Sequence, residues 1–220
     1  MNIILASGSP RRRELLARAK LDFELLSVDI DETQYDSEAP KDYIERMVAT
    51  KAQAAIEQLN VQLKTGKACF TEPLIILTSD TIGVLPDGQT VLVKPTDREH
   101  AYRMWQQMSD SIHEVWTAVQ ATQVSLPLEF SECASLEQGF QILDQRQITE
   151  RTEVSFVPLT AEMMSDYWDS GEPADKAGGY GIQGLGAAWV SRINGSYTNV
   201  VGLPLAQTLA LIKDMTAVSA

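Results

Sequence analysis

"LIILTSDTIGVL", Leu74–Leu85, is the stretch that decides the fold. An apolar run is interrupted by "TSDT" and then resumes, which reads as one buried strand with a polar centre. The turn "PDG" and the segment "TVLVK" that follow make it the first arm of a hairpin. Asp80 stands in the middle of that run, where a carboxylate is expensive to bury unless it is paired or bound to a metal. A bend or bulge held by the "TSDT" hydroxyls is the competing account. Lys94 closes the second arm just before Pro95, and by itself suits a solvated strand end.

Working outward, Ile3–Ala6 reads as a short strand, followed by a helix with Ser9 as cap and Pro10 at its first position. "DFELLSV" (Asp22–Val28) reads as a strand and "DIDETQYDSEAP" as an acidic loop. A long helix runs from about Pro40 to Leu59, with apolar steps at Ile44, Met47, Val48, Ala52, Ala55, Ile56 and Leu59. Thr96 with Glu99 forms a capping box for another helix. Residues 112–124 alternate as a strand, with His113, Val115, Thr117, Val119 and Ala121 on one face. Ser125–Gln147 has no clean period and is expected to be a long loop or excursion. "TEVSFVPL" is a strand, "TAEMMSDYWDS" a helix, "AAWVSRI" a strand, "SYTNVVGLP" a loop and "PLAQTLALIKD" the closing helix. Interleaved strands and helices with one hairpin give an α/β fold on a mixed sheet.

Length and composition suit one domain, residues 1–220, or two small lobes sharing a sheet. A net charge of -12 leaves no broad basic surface for a nucleic acid polymer or an anionic membrane. Any anionic ligand must therefore meet a local group of cations. Cys69 and Cys133 lie far apart with no CxxC spacing, so neither a zinc site nor a disulfide framework is indicated. No stretch reaches the length of a membrane span, and the N-terminus lacks a signal-peptide pattern, so the cytoplasm is expected.

Several residues break their local pattern. Lys51 falls within the apolar stripe of the long helix, either as a lysine snorkelling from its edge or as a cation aimed into a cleft. Asp29, Asp31 and Glu32 make a loop that is acidic by default. With Asp80, one of them would give the two oxygen ligands that magnesium takes from protein. "GYGIQG" matches GxGxxG formally, but it lies outside the strand–turn–helix context that dinucleotide binding needs. Its glycine density still lets backbone N–H groups approach a ligand.

In order along the chain, "LASGSPRRRELL", "DET", the Lys51 helix, "SDT", "VKP", "HEVWTAV", "EPADKAGGYGIQGLG" and "INGSYTNVVGLPL" resemble the Maf family of nucleoside triphosphate pyrophosphatases. The forms "GSPRR", "YGIQGLG" and "NGSYTNVVGLPL" are closer to the branch acting on dTTP and UTP. The family's common "GKP" and "ADT" are "VKP" and "SDT" here. The resemblance implies an elongated, two-lobed, Maf-like and ITPase-like α/β fold with a strongly twisted mixed sheet and a central cleft. It further implies a homodimer and hydrolysis of a nucleoside triphosphate substrate to monophosphate and pyrophosphate with a divalent metal, Mg²⁺ first and Mn²⁺ or Co²⁺ as alternatives. Carried over by motif, Asp80 is the proton acceptor. Arg11, Thr81 and Gln183 are linked to substrate choice, and Glu32, Lys51 and Lys94 to the cleft. A non-catalytic nucleotide-binding regulator of cell division is the rival reading.

In physical terms, Ser7, Ser9, the Gly8 backbone and the first turn of the helix can receive phosphate oxygens. Arg11 and Arg12 can add bidentate contacts. Three consecutive helical side chains cannot all point one way, and Arg13 is the candidate for the solvated or structural one. Asp80 and Glu32 can hold the metal, Asp80 can instead take the water's proton, and the Gln183 amide suits a pyrimidine edge.

Overall fold

The computed structural model describes residues 2–65, 73–125 and 139–217. Its strands are β1 (Asn2–Ala6), β2 (Glu24–Leu26), β3 (Leu74–Val84), β4 (Val91–Leu92), β5 (Ile112–Ser125), β6 (Gln141–Phe156) and β7 (Val190–Asn194). The helices are α1 (Pro10–Arg18), α2 (Pro40–Lys64), α3 (Arg98–Met108), α4 (Ala161–Asp169), α5 (Tyr197–Val201) and α6 (Leu205–Ala217). All strands join one sheet in the order β2-β1-β3-β5-β6-β7, with β4 paired to the end of β3. Pairings β1–β2 and β1–β3 are parallel, and the others antiparallel, so the α/β mixed sheet holds.

Strands β3 and β5 pair without a register break from Leu74↔Val124 to Val84↔Glu114. No bulge therefore accommodates Asp80. At about 3.4 Å per residue β3 is a long element, and its two apolar halves serve different cores. Leu74–Leu77 pack with α2 on one face and with α1 and α6 on the other. Ile82 and Val84 join Ile44, Val48 and Trp116, while Leu85 enters a separate aromatic core built on Trp105, Tyr167 and Trp189. The polar "TSDT" lies between these two ends, and the cleft opens there.

Several local expectations change. Gln141–Gln147 lie in β6, which pairs with β5 as far as Gln141↔Ser125. Five of these seven residues are exposed, the adjacent Ile142 and Leu143 among them, so the sequence carries no hydrophobic period there. Ser125 ends β5, Gly139 and Phe140 lead into β6, and residues 126–138 of that proposed excursion, with both cysteines, lie outside the described residues. "SYTNVVGLP" contains α5, capped by the Ser196 hydroxyl on Asn199 N. Asp97, not Thr96, caps α3 by accepting from His100 N at 2.7 Å. The strand at Asp22–Val28 shrinks to β2, and Ala187–Trp189 form part of a 3₁₀ turn ahead of β7. No helix among the described residues is long and apolar enough to cross a membrane.

His113 of β5 is fully buried beneath the glycine-rich segment, with Nε2 2.7 Å from the Tyr180 hydroxyl and Nδ1 unpartnered. Burial lowers its pKa from 6.5 to about 4. The unfolded chain therefore binds a proton between those values that the folded chain refuses. Stability is expected to fall by about 3 kcal/mol as pH drops from 6.5 to about 4. Urea melts across that window check this, and His113→Phe should flatten the slope by nearly one proton.

Candidate active site

Strand periodicity divides the "TSDT" side chains between two walls. Thr78 and Asp80 face α2, where the Thr78 hydroxyl donates to Val48 O at 2.8 Å. Ser79 and Thr81 face the α5–α6 junction, where both hydroxyls lie 3.4 Å from Gly202 O. The cleft over this stretch has a volume of about 1120 Å³ and is bounded by the β1–α1 loop, the end of β4 and the glycine-rich segment. Arg11, Arg12, Lys51, Lys94 and Lys176 line it against Glu32, Asp80 and Glu172. A chain of net charge -12 thus sets five cations against three carboxylates around this cleft.

On the α2 wall, the buried stripe of that helix carries Lys51 directly opposite Asp80. Its ammonium donates to Asp80 Oδ1 at 2.6 Å and meets Glu32 Oε1 at 2.7 Å. The Lys51 and Asp80 side chains are only 10% and 14% exposed, which meets the burial cost of each with an opposite charge. Lys51 is therefore an inward-facing cation, not a snorkelling one. Glu32 is half exposed. Burial pushes its pKa up, but the hydrogen bond and charge of Lys51, aided by Lys94 and Arg12, hold it below the ordinary value. Its loop is tied to α2: the Tyr43 hydroxyl donates to Glu32 O, and Arg46 donates to Thr33 O and to both Glu38 oxygens. Tyr43 is pushed up to about 12 by burial and by the negative charges of Asp80 and Glu32.

On the opposite wall, Ser9 sits at the cap position of α1 but its side chain makes no capping bond. Instead Ser9 N donates to Ser7 Oγ at 3.2 Å, and Arg12 donates to the same oxygen at 3.1 Å. The Ser7 hydroxyl hydrogen thus remains available for an incoming acceptor. No acidic side chain occupies the first turn of α1, leaving its N–H groups and dipole open to an anion. Arg12 bridges three segments, donating to Gly202 O at 2.8 Å, Ser7 Oγ and Thr81 Oγ1 at 3.0 Å. Burial lowers its pKa, opposed by Asp80. Gly202, at φ +124°, turns its carbonyl toward this guanidinium.

Thr81 has one hydroxyl hydrogen, and the protein uses it. Thr117 Oγ1 donates to Asn199 O at 3.1 Å, so the 3.0 Å contact between Thr81 and Thr117 is donated by Thr81 unless its hydrogen goes to Gly202 O. Either way Thr81 offers the cleft a lone pair or its methyl group, not a donor. Arg11 lines the cleft and makes no hydrogen bond or ion pair among the described residues, as does Lys94. Arg13 is exposed.

Gln183 lies at the cleft edge on the glycine-rich segment, exposed and without a hydrogen bond among the described residues. The backbone N–H groups of Leu185 and Gly186 in this segment are already taken by the Glu172 carboxylate, at 2.8 and 3.4 Å. Glycine density thus does not by itself leave every backbone N–H of the segment to a ligand. The structure thus brings Ser7, Ser9, Arg11, Arg12, Glu32, Lys51, Asp80, Thr81, Lys94 and Gln183 to one cleft. Sequence reading missed Glu172, Tyr43, Thr117 and Asn199. In the sequence Glu172 and Tyr43 are ordinary loop and helix-face residues, and Thr117 is one position of an alternating strand face.

A family model described as Maf-like protein matches residues 2–215. The dTTP/UTP pyrophosphatase of Psychrobacter arcticus is 72% identical over 221 residues, covering 98% of this chain and 96% of its own. That of Psychrobacter cryohalolentis is 74% identical over 220 residues, covering 98% and 97%. A more distant relative, the dTTP/UTP pyrophosphatase of Vibrio parahaemolyticus, is 42% identical over 214 residues and covers 97% of each chain. Among solved structures, the Staphylococcus aureus Ham1 protein aligns with a TM-score of 0.41 at 10% identity, over 71% of this chain and 72% of that one.

Proposed function

The chain belongs to the Maf family, and on that premise we infer that it hydrolyses the bond between the α and β phosphates of dTTP and UTP, releasing the nucleoside monophosphate and pyrophosphate. The observation that carries this reading is the buried Asp80–Lys51 pair at the floor of a locally cationic cleft. A nucleotide sensor without chemistry would need the cations but not a buried carboxylate.

Phosphoryl transfer asks the protein for positioning and charge stabilisation. The Ser7 hydroxyl and the first turn of α1 receive phosphate oxygens, and Arg11, Arg12 and Lys94 offset the triphosphate's negative charge. Asp80 takes a proton from the attacking water as its oxygen bonds to the α phosphorus. The bond to the bridging oxygen then breaks, and its electron pair leaves with pyrophosphate, where cationic side chains meet the developing charge. Lys51 holds Asp80 in place for this step.

A divalent ion fits the donor set. Glu32 and Asp80 already converge on one cation, the Lys51 ammonium, and one or two carboxylates plus substrate phosphates are what Mg²⁺ takes. Glu32 and Asp80 would hold it, with Mn²⁺ or Co²⁺ as alternatives, and when bound it polarises the phosphates and acidifies a water. The homodimer belongs to the same reading, on resemblance alone, and a cytoplasmic setting is proposed with it.

The test is a nucleotide panel with Mg²⁺, following monophosphate and pyrophosphate. Release of orthophosphate in place of pyrophosphate would overturn the reaction assigned. We also assign Gln183 to the pyrimidine edge. Gln183→Ala is expected to lower the preference for dTTP and UTP over CTP and purine triphosphates by about tenfold, by removing a polar match to the base. An equal loss on every nucleotide would make it a general cleft residue instead.

A further inference from the structure

Glu172 opens the 3₁₀ turn Glu172–Asp175 that follows α4, in "SGEPADK", and no part of the reaction above uses it. We propose that Glu172 is a positioning residue for nucleotide choice, its carboxylate fixing the Gly181–Gly186 backbone so that Gln183 faces the base. The proposal rests on the assignment of Gln183 to base recognition.

Gln183 is carried on a tight turn closed by Gly184 N donating to Gly181 O at 3.2 Å. Both ends of that turn are pinned to one acidic group. At the leading end, Gly181 N donates to the Tyr167 hydroxyl at 3.0 Å, and that hydroxyl donates to Glu172 Oε1 at 2.7 Å. At the trailing end, Leu185 N donates to Glu172 Oε2 and Gly186 N to Oε1. Glu172 is held in turn by its own main chain: its N–H donates to Ser170 Oγ at 3.2 Å and its carbonyl accepts from Lys176 Nζ at 2.6 Å. An added Cβ at Gly184 would overlap the Glu172 carboxylate, so glycine there is what lets the acid lie against the turn.

The chemistry calls for a carboxylate. Three donors converge on two oxygens, and an ionised acceptor makes each bond stronger than a neutral one would. An amide at this position keeps one oxygen but turns an NH₂ toward a backbone N–H, so two donors face each other. The support beneath is rigid: the Tyr167 ring packs against Trp189 at 4.5 Å and Trp105 at 5.6 Å between centroids. Glu172 itself lies below the ordinary carboxylate pKa; burial pushes it up, but bonds from Tyr167, Leu185 and Gly186 and the Lys176 charge prevail.

The experiment compares Glu172→Gln, Tyr167→Phe and Gln183→Ala with the parent chain, using kcat/KM on dTTP, UTP, CTP and ATP. Glu172→Gln is expected to lower the pyrimidine preference by about tenfold, as loss of a matched polar contact does. Tyr167→Phe should act in the same direction to a smaller extent. A collapse of preference in Gln183→Ala with unchanged preference in both other variants would overturn the role of Glu172 while sparing the base assignment. Unchanged preference in Gln183→Ala overturns the base assignment itself, and this proposal with it. A uniform loss across nucleotides in Glu172→Gln would mark a merely structural residue. If that variant does not fold, unchanged preference in Tyr167→Phe overturns the proposal.

Discussion

Asp80→Asn is expected to reduce kcat by about a thousandfold or more, because it removes the proton acceptor and keeps the shape. The change is nearly isosteric, so substrate binding should survive far better than turnover. It also removes one of the two charges facing Lys51. The remaining partner, Glu32, is 52% exposed and cannot compensate fully. Deleting one member of a buried pair costs about 3–5 kcal/mol where burial is complete, and somewhat less is expected here because the cleft admits water. Activity should therefore be measured well below the melting transition, with folding checked by circular dichroism. A folded variant that retains a tenth of the parent's kcat would remove Asp80 from the chemistry.

The second large effect is expected at Arg12, ahead of Arg11. Arg12→Ala strips donors from Ser7, Thr81 and Gly202 at once, three points that lie far apart in sequence. It should lower kcat/KM by about a hundredfold or more, as loss of a charge-stabilising donor does, and also lower the melting temperature. Arg12→Lys should recover little, since an ammonium cannot reproduce a planar fork that spans three acceptors. Arg11→Ala, which breaks no bond among the described residues, should raise KM and leave the fold intact. Equal melting temperatures for the two alanine variants would contradict the bridging role of Arg12.

The difference between these arginines shows what the sequence could convey. Helix geometry says that "RRR" cannot point one way, but it does not say which residue turns inward. That depends on a carbonyl at Gly202, at the far end of the chain. Asp80 and Lys51 were legible for a clearer reason: each is a charge inside an apolar period, and such an exception needs an explanation. Glu172 and Tyr43 violate no period, so nothing local marked them. The first part of β6, Gln141–Arg151, escaped notice because none of its residues is buried and its sequence has no apolar alternation, whereas the Thr152–Phe156 end was legible. Thr117 sat in plain view on an alternating face, but its partner across the sheet depends on register, which one strand cannot reveal.

The division of "TSDT" between two walls has a consequence for how the gene can vary. Asp80 and Thr81 are neighbours in the chain yet belong to opposite sides of the cleft, one serving Lys51 and the other Arg12. Loss or gain of a single codon between Leu74 and Ser79 would exchange their sides, presenting a hydroxyl to the lysine and a carboxylate to the arginine. The length of β3 therefore cannot drift without breaking both walls at once.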